Sequence, residues 1–319
     1  MSNAGQQSAL SQGLRHGRVW YARKRLYESR WLYAFLAPAA IVLLLLNYWP
    51  MYGLQIAFKE FSVARGFFAS PWVGLAHYER FFRSSLSGAV IVNTIVLSVF
   101  QLVVGFPAPI ILALLLNQLR NQQYKKFVQT VTYAPYFIPI VVLVGMMHIL
   151  LSPRSGVVNT VISSVGFRTI FFLGEPGWFR PLFVLSGVWQ SAGWGAIIYL
   201  AALSSVNPEL YEAIYMDGGG KSQMIRYIDF PTILPIITIV LILRMGNMFN
   251  VAFQKALLMQ NSLNIHLSEV IQTFVYRTGV LRGQFAYATA VGLFNTAISF
   301  ALLYIANRTA RALKSSSLW

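Results

Sequence analysis

Six long apolar runs, separated by shorter polar segments, leave this chain few possible folds. They fall at residues 31–58, 89–117, 127–151, 180–203, 232–253 and 285–306. A helix needs about 20 apolar residues to cross a bilayer core, and each run meets that length. In hydrocarbon the backbone polar groups must be satisfied internally, so only helices and closed barrels can span. Apolarity here is continuous and does not alternate, which selects helices. The reading is an all-α, polytopic membrane protein with six transmembrane helices. Charged residues make up 11% of the chain, against about 25% in a soluble domain.

Six spans put both termini on one side. The basic segment 1–30 carries Arg15, Arg18, Arg23, Lys24, Arg25 and Arg30 against Glu28, and the positive-inside rule makes it cytoplasmic. The apolar run after it is too long for a signal peptide and lacks a small-residue cleavage site. It is read as a retained first span. A second short tail, 307–319, is also basic and cytoplasmic. By these bounds 14 Lys and Arg fall in cytoplasmic segments and 10 in external ones, counting Arg180 at the edge of the fourth span as external, with Arg244 left inside the fifth span. The net charge of +16 therefore follows topology and membrane lipid, and no nucleic-acid patch is read. There is no cysteine and the four histidines are scattered, so no metal site and no catalytic constellation is expected.

The most informative polar segment is Tyr211 to Pro235, YEAIYMDGGGKSQMIRYIDFPTILP. Asn207 is a good N-cap and Pro208 suits the first helical position. Glu209 and Glu212 fall in the first turns, where the helix dipole favours acids. A short helix from Pro208 to about Met216 is predicted. Gly218-Gly219-Gly220 ends it, because glycine takes positive φ at little steric cost. A second short helix, about Lys221 to Ile228, leads to Pro231. The loop reads as helix, tight turn, helix. Gly220-Lys221-Ser222 ends like a P-loop, but Tyr215 stands where that motif needs glycine and no buried strand precedes it. Nucleotide binding by this chain is not expected.

These residues resemble the "EAA" loop of permease subunits of binding-protein-dependent ABC importers: Glu-Ala-Ala, three residues, Gly, nine residues, then Ile-x-Leu-Pro. Here Glu212-Ala213-Ile214 is followed at that spacing by Asp217-Gly218, then by Ile228-Asp229-Phe230-Pro231. Ile214 and Phe230 depart from the pattern by apolar swaps that alter packing volume and not charge. The segment NYWPMYGLQIAFKEF also resembles a subgroup that handles large saccharides. It includes the first permease of the alginate importer and the lipoprotein-associated polysaccharide permease of Gram-positive bacteria.

The resemblance implies a multi-pass protein of the cytoplasmic (inner) membrane with a cytoplasmic coupling loop at 204–231. Its contacts to an ATPase would run through Glu212, Ala213, Asp217, Gly218, Ile228 and Pro231. It implies a second permease subunit in a heterodimer, a dimer of ATP-binding subunits, an external or periplasmic solute-binding protein and a saccharide cargo. No cofactor is implied in this chain; ATP and Mg belong to the partner ATPase. The chain itself is not an enzyme.

For the cargo path the residues leave alternatives open. Arg244, Asn247 and Asn250 recur at i, i+3, i+6 in the fifth run. A charge in a span costs at least about 2.5 kcal/mol on insertion scales and usually faces the protein interior. The three line the path, or form an interhelical hydrogen-bond network. Gln190 and Asn295 are weaker candidates of the same kind, with Asn93 and Gln101. Trp194, with Trp189 and Tyr199, could stack on sugar rings or simply pack. Gly193 and Gly195 in WQSAGWG allow helices to approach closely. A secondary transporter or channel would need acids inside the spans for ion coupling, and by these bounds none is there. A membrane scaffold would not need the EAA spacing.

Overall fold

A computed structural model describes residues 29–312; the tail segments 1–28 and 313–319 lie outside the described residues. The chain divides into two units, Met1–Gln55 and Ile56–Trp319. In the first, Arg30–Leu43 is α-helical and passes into a π-turn at Leu44–Tyr48. The geometry changes just before Pro50, which has no N–H to continue the helical ladder. None of the most apolar window of this first span is buried. A helix apolar on every side needs lipid or protein around it.

The second unit carries the remaining spans. Ser85–Asn117, Pro176–Leu203, Lys221–Gly246 and Phe285–Ala312 are long and apolar enough to cross a membrane; with Arg30–Phe58 they make five, and a bent pair makes up to six. That pair, Gln122–Phe137 and Ile140–Leu150, corresponds to the predicted third run and turns by 100° at its break. The cause is local. Ile138 is extended (φ −77°, ψ 120°), as a residue before proline prefers, and Pro139 offers no N–H. The second span is likewise two helices, Ser85–Gly105 and Pro107–Asn117, joined at Phe106.

Three differences from the sequence reading matter for function. The second helix of the polar loop does not stop before the fifth span. Lys221–Met224, a π-turn at Ile225–Asp229 and Phe230–Gly246 form one run. That run ends at Gly246, seven residues before the predicted Phe253. Segment 254–282, read as an external loop, instead folds into short helices including Phe253–Met259 and Ile271–Tyr276, with Ala256, Met259 and Ile271 almost fully buried. The sixth helix runs on to Ala312, absorbing residues 307–312 that were read as tail.

Apolar burial drives little helix association in lipid, so close fit must supply it. Gly193 shows how close: a Cβ there would lie 2.0 Å from the Thr132 carbonyl oxygen. Ile110, Ala113, Ala196, Tyr199, Leu203 and Ile233 join the second, fourth and fifth spans in one packed cluster. This cluster joins the parts of the fourth and fifth spans that flank the polar loop to the C-terminal half of the second.

Candidate functional site

The short helix forms at Pro208–Met216, as its capping residues dictate. Asn207 Oδ1 accepts from the Glu209 N–H at 3.1 Å. At the other end Gly218 takes φ +74°. Its N–H donates to the Tyr215 carbonyl at 3.1 Å, and the Gly219 N–H donates to the Ile214 carbonyl at 2.8 Å. This pair of bonds is the Schellman arrangement, which satisfies carbonyls the helix would leave open. Gly219 is needed for a different reason. A Cβ on it would lie 2.5 Å from Ile214 Cγ2. The Ile214 departure from the EAA pattern is thus tied to a second glycine, which the sequence reading treated only as part of the turn.

Glu212, Ala213, Tyr215, Met216 and Asp217 are exposed, so the helix offers a free face. Of the remaining predicted coupling residues, Gly218 and Pro231 are exposed and Ile228 is buried. Against the helix, reached also by Glu212, Tyr215 and Met216 of its exposed face, is a cavity of about 600 Å³. Asn117, Gln118 and Arg120 from the end of the second span line it, together with Tyr211, Glu212 and Lys221.

The inner face carries a feature the sequence reading missed. Asp229 is wholly buried. Tyr211 Oη donates to Asp229 Oδ1 at 2.5 Å, Asn117 Nδ2 to the same oxygen at 3.1 Å, and Gln118 Nε2 to Oδ2 at 2.6 Å. Asn117 Nδ2 also reaches Tyr211 Oη at 3.2 Å. Burial, then the bond to Asp229, pushes the Tyr211 hydroxyl up to about 12, so it keeps its proton at neutral pH. Asp229 was expected in a loop; the structure puts it inside the Lys221–Gly246 run.

The predicted path residues separate. Arg244, Asn247 and Asn250 line one cavity of about 160 Å³ with Ser98, Gln101 and Leu102 of the second span. Arg244 lies on the helix, whereas Asn247 caps it and Asn250 lies beyond it, so helical spacing does not hold the three together. All three are exposed. The Ser98 hydroxyl, by contrast, is buried and has no hydrogen-bond partner. Gln190, Trp194 and Asn295 do not line this cavity. Gln190 Nε2 donates to the Ile138 carbonyl at 2.7 Å, holding the bend of the third span. Trp194 stacks on Tyr136 with ring centroids 4.6 Å apart. Asn295 is buried. Tyr199 is buried in the packed cluster described above.

At the far ends of the spans, Asn93 ties three segments. It accepts from Arg180 Nη2 at 2.9 Å and donates to the His266 and Glu269 carbonyls at 2.9 and 3.2 Å. Glu269 pairs with Arg277 at 3.0 Å. Lys255, outside the candidate spans, is 3% exposed and donates to the Phe183 carbonyl at 2.7 Å. Burial lowers its pKa to about 8. No group of acids, histidines or cysteines that could hold a metal occurs among the described residues.

Residues 105–311 match the family described as binding-protein-dependent transport system inner membrane component. Two Bacillus subtilis (strain 168) proteins are similar over nearly the whole chain. The polygalacturonan/rhamnogalacturonan transport system permease protein YteP is 41% identical over 90% of this chain and 89% of its own. Protein LplB is 38% identical over 95% of each. A chain of a bacterial alginate ABC transporter, solved in complex with an alginate pentasaccharide-bound periplasmic protein, matches with TM-score 0.86 and 37% identity. The match covers 92% of this chain and 99% of that one.

Proposed function

Because this chain belongs to the family of binding-protein-dependent transport system inner membrane components, we propose that it carries an acidic oligosaccharide across the cytoplasmic membrane as one permease of a heterodimeric ABC importer. Family members are transport subunits and not enzymes. The chain is an integral inner-membrane permease of the sugar-importing kind. The observation that carries the proposal is the capped helix Pro208–Met216 with its exposed face of Glu212, Ala213, Met216 and Asp217.

In this reading both termini and the 204–231 loop are cytoplasmic. The exposed face docks on a subunit of an ATPase dimer, which holds ATP and Mg. Closure of that dimer drags the helix, and the spans rock between inward-open and outward-open states. An external binding protein delivers the saccharide. Arg244, Asn247 and Asn250 form one wall of its path and the second permease supplies the other. A guanidinium exposed within an apolar span favours an anionic cargo, since Arg pairs bidentately with carboxylates. The relative YteP is described as a polygalacturonan/rhamnogalacturonan permease, and the structural neighbour belongs to an alginate transporter; both support a uronate-containing cargo.

The test is to tag the chain, express it with its neighbouring genes and purify it. A copurifying second permease and nucleotide-binding subunit are expected, with ATP-dependent uptake of labelled oligogalacturonate or alginate oligosaccharide into proteoliposomes. Uptake driven by an ion gradient without ATP would overturn the reading in favour of a secondary transporter. Reporter fusions after Arg30, near Gly174, near Asn261 and at Trp319 test orientation. The first and last should read cytoplasmic, and an external signal at Trp319 would sink the six-span topology.

A further inference from the structure

We propose that Asp229 is a positioning residue: it locks the short helix to the second and fifth spans, so that a push on the helix moves both spans as one body. The inference rests on the coupling role proposed above. Its basis is the buried ring of contacts. The carboxylate is wholly buried and, among the described residues, pairs with no Lys or Arg; its partners are Tyr211 on the helix and Asn117 and Gln118 at the end of the second span. Asp229 itself closes the π-turn that begins the fifth span. Three segments, one of them more than ninety residues from the other two, therefore meet on two oxygen atoms.

Physical chemistry makes this a stiff joint. A buried carboxylate without its donors is costly, so the ring has one favoured arrangement and resists partial opening. Bonds to a charged acceptor are about twice as strong as neutral ones, and linked donors reinforce one another. Apolar packing at Leu203, Ile233 and Ile110 holds the second and fifth spans to the fourth but can slide, because dispersion has little direction. The ring supplies the direction. The π-turn is a second sign. Such turns are rare and frequently mark functional sites, and this one sets Asp229 facing the ring one residue before the fifth span's α-helix resumes at Phe230.

The experiment uses the full complex and two readouts. The chain has no cysteine, so nitroxide labels can be placed cleanly at Arg120→Cys and Leu210→Cys, both exposed and neither on the docking face. Their distance distribution reports the joint directly and needs no cargo. The second readout is ATP hydrolysed per alginate oligosaccharide imported. Asp229→Leu and Tyr211→Phe should broaden the distance distribution and raise the ATP-to-sugar ratio roughly tenfold, the scale of one hydrogen bond to a charged group. Asp229→Asn should keep the narrow distribution and a ratio within about twofold. If the Gln118 amide turns over, its Oε1 can accept from the new Nδ2 and all three contacts survive. Were Asp229→Leu to assemble poorly, Tyr211→Phe, which deletes one hydroxyl, still carries the test. A narrow distribution and parental ratio in Tyr211→Phe would overturn the proposal. So would an Asp229→Asn variant as damaged as Asp229→Leu. A parental complex that hydrolyses ATP without importing sugar would count against the coupling reading, while the distance readout would still judge the joint.

Discussion

Asp229 and Arg244 stand fifteen residues apart on one helical run and meet opposite surroundings. Asp229 is wholly buried, with donors from two other segments on both oxygens. Arg244 is exposed, beside two exposed asparagines and an unpartnered Ser98 hydroxyl. The first site has both carboxylate oxygens taken up by donors. The second leaves the Ser98 hydroxyl unpartnered and faces a small cavity with exposed polar side chains. The difference separates two jobs within one helix. A part that transmits motion must be over-determined, whereas a part that passes a solute must bind weakly enough to release it.

The largest effect should come from breaking the transmitting end. A Cβ on Gly218 would meet nothing within 4 Å, so a side chain there has room; the obstacle is the backbone φ of +74°. Gly218→Val should strain the turn by about 1–3 kcal/mol, a five- to hundredfold shift in docking at about 1.4 kcal/mol per factor of ten. With Glu212→Lys it should abolish uptake while the chain remains in the membrane, as uptake assays and membrane fractionation would show. Gly218→Asn should be milder, because asparagine tolerates left-handed backbone. Parental transport by both Gly218→Val and Glu212→Lys would remove the loop from the coupling role.

Breaking the open end should cost less and in a different currency. Arg244→Ala should lower uptake of an oligogalacturonate by about tenfold, the scale of a lost charged contact, with purified complex yield unchanged. A matched neutral oligosaccharide, if carried at all, should be unaffected. Loss of yield in parallel with uptake would make Arg244 structural and dissolve the contrast with Asp229.

The smallest effect concerns Lys255, a buried cation that serves neither end. Its folded pKa of about 8 lies below the ordinary 10.5. Between those values the unfolded chain binds more protons, so stability should rise with pH across that window. Lys255→Met should flatten the rise and leave uptake near parental. Thermal melting of the complex against pH checks it; an unchanged slope would contradict the burial of this ammonium.

The two ends also differ in how they can be read from sequence. The helix Pro208–Met216, its cap at Asn207 and the positive φ of Gly218 are local matters, each set by residues within one or two turns, and the spacing displays them. The Asp229 ring joins residues more than a hundred positions apart, for which no local pattern exists. Asp229 also occupies the variable position of the Ile-x-Leu-Pro motif, inside the segment read as the 204–231 loop. The early end of the fifth helix was hidden for another reason. Five of the seven residues 247–253 are apolar, and hydropathy does not distinguish helix from coil. Gly246, where a Cβ would lie 2.8 Å from Leu303 Cδ1, marks the close approach of the sixth span there. Pro135 and Pro139 stand near the start of the third run in the sequence, but the 100° bend depends also on the extended Ile138 and on Gln190 from the fourth span.

The central claim is that coupling and passage are separable within this chain. The most direct test is stimulation of ATP hydrolysis by the saccharide-loaded binding protein, measured on reconstituted complexes carrying Gly218→Val or Arg244→Ala. The account predicts that Gly218→Val loses the stimulation and Arg244→Ala keeps it. Equal loss in both, or stimulation retained by Gly218→Val, would contradict it.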